Sequence, residues 1–341
     1  MLSAFLAASV VASPFPFALA APSLAPPAAS PSSGTTLLSR SVPHSPANFR
    51  IDEVFPRLKA ELDAAARGFR GRVGYCVIDV ATGRSIDLNG DDRFPSASTI
   101  KTALMVEAVN QVDEGKLNWT DKKPVPPTGS REASMWSFYF KDGTTLDLNG
   151  WVTLNMTVSD NTATIVLRDW LTQDAVNARM EKLGLRNTLI LRSGVSDQRL
   201  ARLREMFGLG VTTPREMARL LQLILEGKAA SRAGCDRMLR IMSQQYWDDW
   251  IGASVPPDVR VASKSGAISR SRSDTAIVFG DRPYILTIYT DGQQDRRWSA
   301  DNEGDRLLVR LARIVWARMN PHRPYTPPDG FEKFAPTGSG L

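Results

Sequence analysis

The chain has 341 residues, a net charge of +6 from 42 Lys and Arg against 36 Asp and Glu, and 43% hydrophobic residues, which suits one large or two moderate globular domains. It has two His and two Cys; His44 lies in a Pro/Ser stretch and His322 in a Pro-rich tail. A Ser-His-Asp or Cys-His mechanism therefore lacks a base, and a zinc site lacks N and S ligands. Hydrolytic chemistry here has to draw its base from Lys or a carboxylate.

Residues 1–20 are uncharged and apolar and end in Ala18-Leu19-Ala20. They read as an export signal, which predicts a periplasmic or secreted protein, although no Lys or Arg opens the segment and an apolar leader of another kind stays open. No Cys follows, so a lipid anchor is not supported, and no later stretch reaches the 18 uninterrupted apolar residues of a membrane span. Residues 21–47, rich in Pro, Ser and Ala, read as a linker. The folded part is expected over about 48–325, with a tail at 326–341.

A helical pattern spans Ile51–Ala66, with Phe55, Leu58, Leu62 and Ala65 on one side. Two strand-like runs follow, Arg72–Val80 and Ser85–Leu88, joined by the turn Ala81-Thr82-Gly83. Cys76 falls in the first run, and two unpaired core cysteines are preferred to a bridge between Cys76 and Cys235. From Ser98 to Asp113 the sequence is apolar nearly all round, the mark of a helix buried within a domain.

Further helices are predicted at Thr162–Leu171, Thr172–Leu183 and Pro214–Glu226, the last with Thr213 as N-cap. Strands are predicted at Arg260–Lys264, Asp274–Phe279 and Tyr284–Thr290. A final helix, Asp305–Met319, sets Leu307, Leu308, Leu311, Ile314 and Val315 opposite Arg306, Arg310 and Arg313, as a packed surface helix does. The arginines are spread along the chain, so no nucleic-acid role is expected. The order predicts one antiparallel sheet assembled from both chain ends (about 48–95 and 256–325) around an inserted helical part (about 96–255), an α/β plus all-α architecture.

Three motifs carry chemistry. In Ser98-Thr99-Ile100-Lys101 the hydroxyl and the amine share a helix face. A lysine desolvated among apolar neighbours and near a second cation can lose its proton at neutral pH and activate the serine. An N-cap Ser followed by a surface Lys is the alternative for this motif alone. In Ser159-Asp160-Asn161, at the mouth of a helix, Ser159 could pass a proton to a leaving nitrogen and Asn161 could donate to a substrate carbonyl; a plain helix cap is the alternative. In Lys264-Ser265-Gly266-Ala267 the Lys sets the local potential and Ser265 can bind a substrate carboxylate. Gly266 permits close approach, so that the N–H groups of Ala267 and Ser98 form an oxyanion hole. A strand ending in a Ser-Gly turn is the bland reading.

SxxK, SDN and K-[ST]-G occur once each, in that order, and the chain resembles the penicillin-recognising serine hydrolases, most closely the class A β-lactamases. The resemblance covers about 48–320. It implies a β-lactamase/transpeptidase-like fold with the site between its two parts, Ser98 as acylated nucleophile, Lys101 as its base, and Ser159, Asn161, Lys264 and Ser265 around the substrate. It also implies a β-lactam or peptidoglycan-like peptide substrate, no cofactor or metal, and a monomer.

One departure is plain. The family's active-site loop carries a Glu in an ExxLN-like pattern that holds the deacylating water, and the interval from Leu191 to Pro214 has none. Counting back from Thr212-Thr213-Pro214 puts Asp197 near that position, whereas aligning Arg192 with the loop's usual Arg puts Gly194 there; Glu205 is a weaker candidate and a surface carboxylate is the alternative for Asp197. Slow deacylation is therefore expected, and a D-alanyl-D-alanine carboxypeptidase, an esterase or a non-turnover penicillin-binding sensor stay open beside a β-lactamase. Arg270 and Arg272 could pair with a substrate carboxylate, with surface arginines of a hairpin the commoner alternative. Trp136, Tyr139 and Phe140 could wall the site, with core packing the stronger expectation.

Overall fold

The computed structural model describes residues 49–131, 136–299 and 301–328; the leader 1–20, the segment 21–47 and most of the tail lie outside the described residues. Helix α1 (Ile51–Ala66) turns Ile51, Phe55, Leu58 and Leu62 inward. Strand β1 (Arg72–Asp79) is buried at every residue after the first, and β2 (Ser85–Leu88) pairs with it. The chain end supplies β8 (Val261–Ile268), β9 (Ser271–Val278), β10 (Tyr284–Asp291) and helix α9 (Glu303–Met319).

These strands form one sheet in the order β2-β1-β10-β9-β8, each neighbour antiparallel, so β1 lies beside β10 in a register that pairs Cys76 with Thr287. Strand alternation sends successive side chains to opposite faces. Tyr75, Val77, Leu286 and Ile288 pack with Leu58 and Leu62 of α1 and Leu308, Leu311 and Val315 of α9. Cys76, Ile78, Ile277, Ile285 and Tyr289 pack instead with the helical part. Helices on both faces explain why β1 reads as a continuous apolar run rather than an alternation.

Between the two halves of the sheet lie β3 (Phe94–Pro95), a short turn of 3₁₀ helix (Ala97–Ile100) and α2 (Lys101–Asp113). They are followed by β4 (Lys122–Pro124), β5 (Thr145–Asp147), α3 (Leu148–Thr157), α4 (Asn161–Leu171) and α5 (Gln173–Lys182). Then come β6 (Leu189–Ile190), α6 (Gln198–Phe207), β7 (Gly210–Thr212), α7 (Pro214–Leu225) and α8 (Arg232–Met242). Helix α2 is buried at every residue from Lys101 to Asn110, the buried helix that its composition implied. Its buried Glu107 is neutralised by Arg179 at 2.8 Å.

The sequence reading omitted α3, α6 and α8. Helix α6 buries only Leu203 and Phe207 and shows no broad apolar stripe, whereas α3 buries Leu148, Trp151, Val152 and Met156 at helical spacing, a stripe broken only by Asn155. Helix α8 did carry a legible stripe in Cys235, Met238, Leu239 and Met242. Strand β8 continues through Ser265, Gly266 and Ala267 to Ile268, so the chain turns at Ser269-Arg270 rather than at Ser-Gly. Cys76 and Cys235 are both buried and free. No helix among the described residues is long and apolar enough to cross a membrane.

Candidate active site

Ser98 sits on the 3₁₀ turn between β3 and α2. The turn is strained: Ala97, its first residue, has φ 44°, a left-handed conformation that costs a non-glycine residue roughly 1–3 kcal/mol and that clusters at functional sites. Surrounding bonds hold it there. Thr99 Oγ1 donates to Ser96 O at 2.7 Å and lies 3.0 Å from the Tyr289 hydroxyl on β10. Ser98 is partly exposed, and its hydroxyl has no hydrogen-bond partner among the described residues.

Lys101 is fully buried one turn further on, and its Nζ donates to Ser159 O (2.6 Å), Ser159 Oγ (3.1 Å) and Asn161 Oδ1 (2.9 Å). The first two motifs are thereby joined. Burial, and then the nearby Lys264 charge, lower the Lys101 pKa well below that of a free lysine, against a smaller opposing pull from Asp160. Once Nζ loses a proton, two of its three partners, being carbonyl oxygens, have no hydrogen to offer in return. The Ser159 hydroxyl does, so it alone can reverse the bond. Within the turn the Lys101 backbone N–H donates to Ser98 O, but among the described residues no hydrogen bond joins Lys101 Nζ to the Ser98 hydroxyl.

Ser159 also takes a left-handed backbone, with φ 59°. The next residue, Asp160, caps α4 through Ala163 N and accepts from both the N–H (2.8 Å) and the hydroxyl (2.9 Å) of Ser137. The segment before the second motif is thus tied to it. Arg131, with a fully buried side chain, donates to the carbonyls of Pro126, Ser137, Phe138 and Phe140 and pairs with Asp142 at 2.6 Å, which gives that segment its shape.

The third motif lies on β8. A Cβ on Gly266 would lie 2.8 Å from Ser98 N and 3.0 Å from Ser96 O, so only glycine lets the strand come this near the Ser98 backbone. Ser273 of β9 fastens the same contact by donating to Gly266 O (3.0 Å) and Ser96 O (3.3 Å). Lys264 is fully buried, and burial brings its pKa down to about 7. On the next strand the buried Asp274 is pushed up to about 6, also chiefly by burial, while accepting from Ile251 N and Thr275 N.

Ser98, Ser159, Ser265, Gly266 and Ala267 line a single cleft, and Trp247, Asp249 and Trp250 complete its wall. Lys101 and Lys264 lie behind this surface. Gln245 braces the seam by donating to Met156 O at the end of α3 and to Ser263 O on β8. The segment 245–250 was missed in the sequence, although an acid pair between two tryptophans just before the third motif was a visible signal.

Other expectations need correction. Asp197 is the exposed N-cap of α6; its Oδ1 accepts from Arg199 N and Leu200 N, and it does not line the cleft. Glu205 is likewise exposed on α6. Arg270 is engaged by Asp291 (2.7 Å) and by Met206 O. Arg272 is buried, pairs with Asp305 at 2.8 Å and donates to Ile268 O and Arg297 O, so neither arginine is free for a substrate carboxylate. Phe140 packs partly against the core, but Trp136 and Tyr139 are 47% and 83% exposed. Trp136 meets Tyr246 edge-on, and Tyr246 in turn meets Trp247 of the cleft wall. His322 is exposed in the C-terminal segment.

This topology, with a cleft where the sheet's edge strand meets the helical part, is that of the β-lactamase/transpeptidase-like class. The model of the β-lactamase enzyme family matches residues 57–319, and the chain belongs to that family. Among curated relatives it is 26% identical over 252 residues to β-lactamase CARB-3 of Pseudomonas aeruginosa, covering 71% of this chain and 84% of that one. It is 28% identical over 257 residues to β-lactamase L2 of Stenotrophomonas maltophilia, covering 68% and 78%. Among solved structures, an ancestral class A β-lactamase superposes with a TM-score of 0.67 at 26% identity, over 76% of this chain and 98% of that one. The resemblance to class A proteins read from the motifs therefore holds, and the chain is a β-lactamase-like hydrolase.

Proposed function

We propose that the protein cleaves β-lactam amides through an ester on Ser98. The carrying observation is that serines from all three motifs line one cleft directly in front of a buried lysine whose proton is weakly held. Neutral Lys101 takes the Ser98 proton as Oγ bonds to the carbonyl carbon. The oxyanion faces the N–H groups of Ser98 and Ala267. When the tetrahedral centre collapses, the C–N bond breaks and the nitrogen takes a proton from Lys101 through Ser159 Oγ. Asn161 and Ser265 hold the substrate, and Lys264, when protonated, supplies positive potential. No cofactor takes part.

Hydrolysis of the ester needs a positioned water. Asp197, which caps a helix instead, does not supply the base, so the acyl-enzyme is long-lived. The same observation favours a second reading, in which the natural substrate is a D-alanyl-D-alanine peptide or an ester, or in which the protein is a sensor that stays acylated. The apolar leader supports an exported protein.

The test is to mix the full chain with a chromogenic cephalosporin and follow product release and protein mass together. A one-to-one adduct on Ser98 followed by slow release is expected; no adduct, or equal labelling of Ser98→Ala, overturns the reading.

A further inference from the structure

The cleft contains a carboxylate that the proposed chemistry leaves unused. Asp249 lies on its wall between Trp247 and Trp250, which are themselves only 9% and 8% exposed. Its Oδ1 is buried without a hydrogen-bond partner, and no Lys or Arg comes within ion-pair distance of it among the described residues. Burial, reinforced by the charges of Asp248, Asp305 and Asp274, pushes its pKa up to about 7. A carboxyl in such a place is costly to keep ionised, and a cation that meets its other oxygen from the cleft favours the charged form.

The surroundings indicate what that group is. Arg270 and Arg272, which follow the third motif, are held by Asp291 and Asp305, and the two lysines of the site lie behind the cleft surface. The wall itself offers an acceptor and two indole rings. That combination suits a positively charged nitrogen, since the carboxylate can supply an ion pair and neighbouring indoles can add cation–π attraction. A second anion there would meet Asp249 at close range in a poorly solvated cleft.

We propose that Asp249 is a specificity-determining residue that, with Trp247 and Trp250, selects substrates bearing an ammonium group. This deepens the hydrolase reading, and it rests on that reading in taking the cleft as the place where substrate lies. A substrate carrying an amine on the portion that reaches this wall is favoured over its uncharged analogue, and one carrying a carboxylate there is disfavoured.

The test separates recognition from catalysis by using fragments that cannot acylate Ser98. Benzylammonium chloride and benzyl alcohol are titrated against the full chain by ligand-observed NMR, with Asp249→Asn and Asp249→Ser in parallel. Removing an unpaired buried charge leaves both variants folded, which thermal melting checks. Benzylammonium is expected to bind about tenfold more tightly than benzyl alcohol to the wild type, and about equally in both variants. Equal binding to the wild type, no binding of benzylammonium at millimolar concentration, or a preference that survives in both variants overturns the proposal. Fragment selectivity without any Ser98 adduct would overturn the hydrolase reading while leaving the recognition by Asp249 intact.

Discussion

Gly266 and Ser98 are in backbone contact: a Cβ on the glycine would stand 2.8 Å from the serine amide nitrogen. That contact sets the edge strand against the nucleophile's turn and makes one cleft of segments far apart in the chain. Gly266→Ala forces the Ser98 turn or β8 to move. Overpacking of this kind costs about 1–3 kcal/mol, and displacing the nucleophile is expected to slow acylation by about 100-fold. Melting temperature and the rate of adduct formation by mass spectrometry check both effects.

Lys264 makes stability depend on pH. Its pKa is about 7 in the fold and 10.5 when free. Below 7 both folded and unfolded chains hold the proton; between 7 and 10.5 the unfolded chain holds it and the folded chain does not. Unfolding therefore takes up a proton in that window, and stability rises with pH across it. Lys101, lowered in the same direction, adds to the slope. Urea unfolding at pH 7, 8 and 9 is expected to show this rise, and Lys264→Met to flatten it by up to one proton's worth.

Ser137 ties the segment that carries Trp136 to Asp160 of the second motif through two hydrogen bonds. Ser137→Ala removes the hydroxyl bond and keeps the backbone one. A hydrogen bond to a charged acceptor is worth about 1.5–3 kcal/mol, so a loss of that order in chemical denaturation is expected. Because Asp160 neighbours Ser159 and Asn161, adduct formation at low substrate concentration should weaken as well.

Asp197→Ala separates a cap from a base. As an N-cap of α6, Asp197 contributes about 0.5–2 kcal/mol to stability. The rate at which acylated protein releases product is expected to match the wild type within error. A tenfold slower release would show that its carboxylate reaches the acyl group.

By itself the sequence determined the chemistry's vocabulary and most of the scaffold. The absence of a usable His, the three ordered motifs and the apolar character of α2 are local properties, and the strands of the sheet follow from continuous apolar runs buried on both faces. Helix α6 was not legible, because a helix that buries two side chains leaves little periodicity. Tertiary structure alone decided which charges are free. Arg270 and Arg272 looked available in the sequence, but each is engaged by a carboxylate that only the fold brings near it, Asp291 and Asp305, whereas the cap that engages Asp197 is local. Asp249, which the sequence did not single out, has a buried and unpartnered carboxylate oxygen in the cleft wall. Residue type fixes what a side chain can donate or accept, whereas its partners and its exposure to water are set by chain segments that lie far away in sequence.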